Sequence, residues 1–298
     1  MDPINDHPLG LIAGEGRLPV LVAQGMRAAG MRVCGVGLRD LFDPALPALC
    51  DRFTVVGVLR LGSWIRALRR HGIRQAVLVG RVAKARMHQP LRMIRQMPDL
   101  RAVRVWYRRL GNDRRSTTLL SALADELKIN GITLIDSTTY VSDHLADEGV
   151  MTKIKTSPQH QADISHGWPL LRRVVALDIG QSIAICNRTV IAVESLEGTD
   201  AMIQRAGGLN GAGWTLLKAP DEDHDMRFDV PAIGPVTIER MAQARAGCLA
   251  LHAGRVIMID KAKVLATAER LGIPIVGVSS RPTPPAVLAA RPRRSGDG

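Results

Sequence analysis

Through the first 136 residues, short apolar runs alternate with helix-length amphipathic segments, and this alternation leaves few folds open. Residues 9–13 (LGLIA), 31–37, 53–58 and 76–80 read as strands, and residues 18–29, 62–71 and 117–128 read as helices. Strands with one solvated face would alternate apolar and polar residues. Near-continuous apolar runs separated by helices instead imply a parallel sheet covered on both faces. Pro19 falls in the first turn of the first helix, where its missing N–H costs nothing. The expectation is an α/β protein whose first domain, residues 1–136, is a Rossmann-like parallel sheet.

Residues 137–167 are polar and only weakly periodic, and read as the connection at a domain boundary, carrying at most one short helix. A second α/β domain with a mixed sheet is expected over residues 168–280. It opens with a hairpin over 181–194 turning at Asn187-Arg188. A helix over 199–206 and a strand over 214–218 follow. After a charged loop at 221–231 come a helix over 237–246, a second hairpin pairing 249–251 with 256–259, a helix over 261–271 and a strand over 273–278. The Pro/Arg-rich tail, 281–298, has the composition of a disordered segment.

Charge is concentrated in one region. Between Arg60 and Arg115, sixteen Lys or Arg residues stand against two acids, Asp99 and Asp113. That surplus exceeds the net charge of the whole chain, +12. Such a face suits an anionic partner, or simply solubilises the protein. Within it Leu91, Ile94, Met97, Leu100, Val103 and Trp106 recur every three residues. This stripe could lie on an anionic membrane or pack in the core. Aromatic residues make up only 3% of the chain, too few for stacking platforms, so no nucleic-acid partner is expected. The four cysteines are far apart and form no zinc-type pattern. No signal peptide and no apolar run of about 18 residues is seen, so a cytoplasmic protein is expected.

Two regions carry candidate chemistry. LIAGEGRLP sets Gly14 and Gly16 between a strand and a helix, where backbone N–H groups can hold a phosphate. The dinucleotide fingerprint is broken, because Pro19 occupies the third glycine position and Glu15 would repel a phosphate. A tight turn that binds nothing is the competing reading. Gly14, Gly16 and Gly80 are candidate substrate contacts. The second region is acidic. Glu194, Glu197 and Asp200 recur at spacing three, with Thr199 as a candidate helix N-cap. Asp221, Glu222, Asp223, Asp225 and Asp229 crowd a loop around His224 and Arg227. So many acids call for cations, and Mg²⁺ is the candidate, with Glu194, Glu197 and Asp200 as its candidate ligands. Metal-held water is what phosphoryl hydrolysis uses. Arg205, Lys218 and Arg227 are candidate neutralisers of phosphate charge.

These strings carry a family resemblance. GLIAGEGRLPVLVA (residues 10–23), LDIGQSIAICNRTVIAVESLEGTDAMIQRAGG (177–208) and DMRFDVPAIGPVTIERM (225–241) resemble, in this order, the motifs of the LpxI family. The resemblance implies two α/β domains with the substrate between them. It also implies hydrolysis of UDP-2,3-diacylglucosamine to lipid X and UMP, a step of lipid A assembly that needs a divalent cation such as Mg²⁺. The family's catalytic aspartate falls on Asp225, with Gln181, Thr199, Arg205 and Arg227 in its motif segments, and Lys218 between them, as candidate substrate contacts. A homodimer is a further implication, and peripheral contact with the inner membrane is the expectation that the apolar stripe with its basic rim adds. Two positions depart from the family pattern: His224 stands where Gln is common, and Glu15 replaces the middle glycine of the loop. Two other classes remain open at this point. One is a nucleic-acid-binding protein using the 60–115 face, and the other is a nucleotide-sugar oxidoreductase built on the first domain.

Overall fold

A computed structural model of the chain describes residues 8–81, 98–105, 107 and 116–279. The first domain holds five strands, β1 (Leu9–Ala13), β2 (Val33–Leu38), β3 (Arg52–Val56), β4 (Gln75–Val79) and β5 (Thr133–Leu134). They form one sheet in the order β3-β2-β1-β4-β5. Every pairing in it is parallel. The chain winds outward from β1 through β3, then crosses back to lay β4 on the other side of β1. The strand order therefore reverses between β1 and β4, the place where open α/β sheets leave a crevice at their carboxyl ends.

Four helices are described in this domain: α1 (Leu18–Ala28), α2 (Leu61–Arg70), α3 (Leu100–Val105) and α4 (Ser116–Ile129). The apolar stripe of α2, Leu61, Trp64, Ile65 and Leu68, is buried against the sheet, and Arg66, Arg69 and Arg70 face water. That division is the 3.6-residue period read in the sequence. Of the apolar stripe at 91–106, Leu91, Ile94, Met97 and Trp106 lie outside the described residues. Leu100 is exposed and Val103 half-buried. The tail at 281–298 also lies outside.

The second domain is built on a six-stranded mixed sheet in the order β6-β13-β11-β9-β7-β8. Its strands are β6 (Gly149–Val150), β7 (Ser182–Cys186), β8 (Thr189–Val193), β9 (Thr215–Lys218), β11 (Cys248–His252) and β13 (Ile275–Val278). The strands β9, β11 and β13 run parallel; β6, β7 and β8 run antiparallel to their neighbours. The helix α5 (Pro158–Ala176) covers one face, and α6 (Gly198–Asn210), α7 (Pro235–Gln243) and α8 (Lys261–Leu271) cover the other. The β7–β8 hairpin turns where expected, with Asn187 and Arg188 both left-handed at φ 49° and 62°. Left-handed residues at both turn positions match the twist of the strands. Asp163 of α5 accepts the Arg188 amide at 2.6 Å and holds the turn on the core.

Two sequence expectations fail here. The polar stretch 137–167 is not one long connection, because β6 joins the second sheet and α5 begins at Pro158. Ser157 caps that helix by accepting the His160 amide at 3.2 Å, a start signal hidden in polar sequence. Nor do 249–251 and 256–259 form a hairpin. The strand β11 is sandwiched between β9 and β13. The strand β12 (Ile257–Met258) leaves the sheet to pair, in parallel, with β10 (Ala232–Ile233). Parallel pairing at long range prevails over the hairpin expected across residues 252–255.

The domains are joined by interlocked segments. Met226, in the loop after β9, accepts from the Ser137 amide at 3.0 Å and from its hydroxyl at 2.8 Å. Phe228 from the same loop is buried in the core of the first domain with Val105, Ala122 and Leu127. Ile259 packs against the α1 side of the first sheet. Arg17 forms a 3.6 Å ion pair with Asp260.

Candidate active site

The loop that spans the junction carries Asp225. Three features hold it in place. Asp221 accepts the Glu222 amide at 2.8 Å. Arg255, between β11 and β12, donates to the carbonyls of Glu222 at 2.7 Å and His224 at 3.3 Å. Downstream, Met226 and Phe228 are anchored on the first domain. Asp225 is thereby fixed where the two domains meet, half-exposed, rather than on an outer surface.

Arg227 is folded back onto Asp225. Its Nε lies 2.9 Å from both carboxylate oxygens, a terminal nitrogen lies 2.5 Å from Oδ2, and the Arg227 amide reaches Oδ1 at 3.1 Å. The guanidinium also sits 5.5 Å from the centre of the Phe228 ring. Hydrogen bonds from Arg227 hold the Asp225 carboxyl below its usual range, outweighing the opposite effect of partial burial. In turn Asp225, and more distantly Asp125 of α4, raise the affinity of Arg227 for its proton.

The glycine loop is differently used than expected. The Gly14 amide donates to Val79, and Glu15 and Arg81 exchange both backbone hydrogen bonds at 2.9 Å. The first two amides of the loop are thus spent on pairing β1 with β4 and are not aimed at a phosphate. A side chain at Gly14 would meet Gly80 and Arg81 backbone, and one at Gly80, at φ 96°, would meet Gly14 backbone at 2.7 Å. These glycines exist for the close approach of two strand ends. Gly16, at φ 110°, faces open space. A phosphate nest of the dinucleotide type is not built here.

The remaining candidate residues form a second group. Lys218, at the end of β9, is buried, and its ammonium donates to Ser182 Oγ at 3.1 Å and Thr199 Oγ1 at 2.9 Å, with Glu194 Oε2 at 3.5 Å. Thr199 donates in turn to Glu194 Oε1 at 2.8 Å. Thr199 is therefore no N-cap; Glu197 holds that position and makes no side-chain cap. The Lys218 ammonium thus makes two hydrogen bonds and one ion pair to protein oxygens. Arg205 is bound to Glu197 at 2.6 Å and to the Val193 carbonyl at 2.9 Å, and Asp200 is paired with Arg240. The carbonyl of Gln181 receives the Ala219 amide at 3.0 Å.

Glu194, Glu197 and Asp200 were expected to share a metal ion, and the geometry does not fit one. Glu194 sits beyond the end of β8 and points inward, whereas Glu197 and Asp200 start α6 and face outward. Each carboxylate has its own basic partner. Among the described residues no group of three or more His, Cys, Asp or Glu side chains converges as a metal site.

Sequence reasoning missed Arg255, Ser137 and Ser182. Ser182 lies within the GQS string and could have been found there; nothing marked the other two. A cavity of about 400 Å³ opens at the ends of β9 and β11, lined among others by Trp168, Arg172, Arg173, Glu222, Asp223 and His252. It lies beside the acidic loop that leads to Asp225.

A parallel first domain, a mixed second domain and a charged loop locked between them define a two-domain α/β protein with its polar site at the junction. Sequence models of the LpxI N-terminal and C-terminal domains match residues 8–144 and 147–276. The UDP-2,3-diacylglucosamine pyrophosphatase LpxI of Caulobacter vibrioides is 33% identical over 291 residues, covering 93% of this chain and 99% of that protein. The chain belongs to the LpxI family. Among solved structures, Bordetella bronchiseptica WbmG in complex with NAD and UDP aligns at 14% identity over 44% of this chain and 37% of its own, with a TM-score of 0.27. A nucleoside-diphosphate-sugar epimerase from Pseudomonas aeruginosa aligns at 13% over 58% and 78%, with a TM-score of 0.26. Both superpositions are too loose to bear on function.

Proposed function

We propose that the protein hydrolyses the diphosphate of UDP-2,3-diacylglucosamine, giving UMP and 2,3-diacylglucosamine 1-phosphate, for lipid A assembly. The observation that carries this reading is the Asp225–Arg227 pair in a motif loop wedged between the domains, in a chain aligned with the Caulobacter pyrophosphatase over 93% of its length. Water adds to one phosphorus of the diphosphate and the bridging P–O bond breaks. The bridging oxygen departs with the other phosphate. Asp225 orients the water and takes its proton. Arg227 exchanges its carboxylate partner for a diphosphate oxygen, which releases Asp225 and neutralises developing charge.

The sugar and nucleotide lie in the crevice between the domains, near Gly16 and the carboxyl ends of β1 and β4. No step is assigned to a metal ion held by Glu194, Glu197 and Asp200. A divalent cation would enter with the diphosphate, because Mg²⁺ is commonly bound through substrate phosphates and one or two carboxylates. The exposed arginines of α2 suit peripheral contact with an anionic inner-membrane surface, where a diacylated substrate resides. No helix among the described residues is long and apolar enough to cross a membrane. The protein works as a homodimer in the cytoplasm.

Purified protein incubated with UDP-2,3-diacylglucosamine and Mg²⁺ is expected to release UMP and the lipid 1-phosphate in equal amounts. Absence of UMP, or turnover that requires NAD(H), overturns the reading.

A further inference from the structure

Two motif strings that the proposed chemistry does not use directly meet at one buried atom of a third segment. Ser182 comes from the GQS string, Glu194 and Thr199 from the VESLEGTD string, and Lys218 from the end of β9, and all three oxygen-bearing side chains surround the Lys218 ammonium. Close backbone contact makes this possible: Gly180 lies so near the Glu194 carbonyl that a Cβ there would fall 2.1 Å from it. Lys218 is only 3% exposed, and burial lowers its proton affinity against the opposing pull of Glu194. Asp229 and Asp200 also act on its charge. Asp229 stands four residues after Asp225 on the same loop, at φ 55°.

We infer that Lys218 supplies, as a side-chain ammonium, the cation around which the Glu194, Thr199 and Ser182 oxygens are arranged, that these residues hold no metal ion, and that Lys218 is the positioning residue tying the first turn of α6 to the loop that carries Asp225. The ammonium already stands where these oxygens converge, and a divalent cation brought to the same point would be repelled by it. The bridging role follows from topology. Through Thr199 the ammonium holds the start of α6, and Lys218 itself ends β9, from which the chain runs directly into the loop that carries Asp225. Removing it leaves Glu194 as a buried, unpaired carboxylate. The positioning role rests on the proposed hydrolysis, whereas the absence of a metal at these residues does not and is read by metal binding alone.

Mn²⁺ titration of the full chain, followed by electron paramagnetic resonance without substrate, is the first measurement. Glu194→Gln, Glu197→Gln and Asp200→Asn are expected to bind Mn²⁺ as wild type does, within twofold. Loss of a wild-type Mn²⁺ site in any one of these folded variants overturns the inference. The second measurement is coupling. Lys218→Met lowers the melting temperature, and Lys218→Met/Glu194→Gln recovers at least half of that loss. If the single variant does not fold, the charge-neutral pair is compared with Glu194→Gln alone. In the pair, kcat for UDP-sugar hydrolysis falls at least tenfold while KM stays within threefold, and Lys218→Arg restores part of kcat. A pair with wild-type kcat, or one in which KM alone changes, contradicts the positioning role.

Discussion

Arg227 clasps Asp225, two residues before it, from a loop whose next side chain, Phe228, is buried in the other domain. The guanidinium balances the carboxylate charge and keeps Asp225 ionised to lower pH than usual. Arg227→Gln removes the hydrogen bonds that depress the carboxyl, so its proton affinity rises toward the ordinary value of about 3.9. The acid limb of kcat/KM for the free enzyme is expected to move to higher pH, and kcat/KM at neutral pH to fall by roughly tenfold to a hundredfold. A depressed carboxyl stabilises the fold above its unfolded-state value and loses that contribution as pH falls through its folded value. In the variant the carboxyl titrates alike folded and unfolded, so this contribution is absent and stability should change less than in wild type as pH falls below about 4. Rate profiles between pH 3 and 8 check the shift.

Phe228 locks the two domains. Phe228→Ala removes an aromatic side chain from the first domain's core and is expected to destabilise the protein by roughly 3–5 kcal/mol. Calorimetry should resolve two unfolding transitions in the variant where wild type shows one, because the loop then no longer couples the domains.

Gly80→Ala adds a Cβ 2.7 Å from the Gly14 carbonyl carbon, at φ 96°. Backbone strain of this kind costs roughly 1–3 kcal/mol, before the clash between backbones is counted. Gly16→Ala is strained too but meets no atom within 4 Å, so its loss should be smaller. Urea unfolding of the two variants side by side tests whether close approach is what the β1–β4 glycines provide.

The cysteines should be inert in the native state. Burial pushes the Cys248 thiol up to about 12 and the Cys50 thiol up to about 11, and Cys34 and Cys186 are also buried. Since the thiolate is the reactive form, alkylation at pH 8 should be slow for all four and fast once urea is added. Mass spectrometry of timed samples reads this out.

The inner strands β1, β2 and β4 of the first sheet were legible because they are buried on both faces and read as uninterrupted apolar runs, 9–13 matching β1 residue for residue; the two-residue edge strand β5 offers no such run. The Asn187-Arg188 hairpin was legible for a similar local reason. The β11–β12 segment was not, since its partners lie at long range and no local pattern names them. In the site, the motif strings located Asp225 and Arg227 but not their contact. Glu194, Glu197 and Asp200 looked like a metal cage because spacing along a chain says nothing about direction. One ends a strand and turns inward, and two begin a helix and turn out. Charges that meet Lys218, Arg205 and Arg240 become visible only when the sheet brings distant residues together.

The most direct test of the account is Asp225→Asn, which keeps the shape of the side chain and removes its charge. Turnover of UDP-2,3-diacylglucosamine should fall by about a hundredfold to ten-thousandfold, with the dissociation constant for the UDP-sugar within threefold of wild type. Turnover within threefold of wild type would contradict the assignment of Asp225 to the reacting water, and with it the reading of the interdomain loop as the catalytic element.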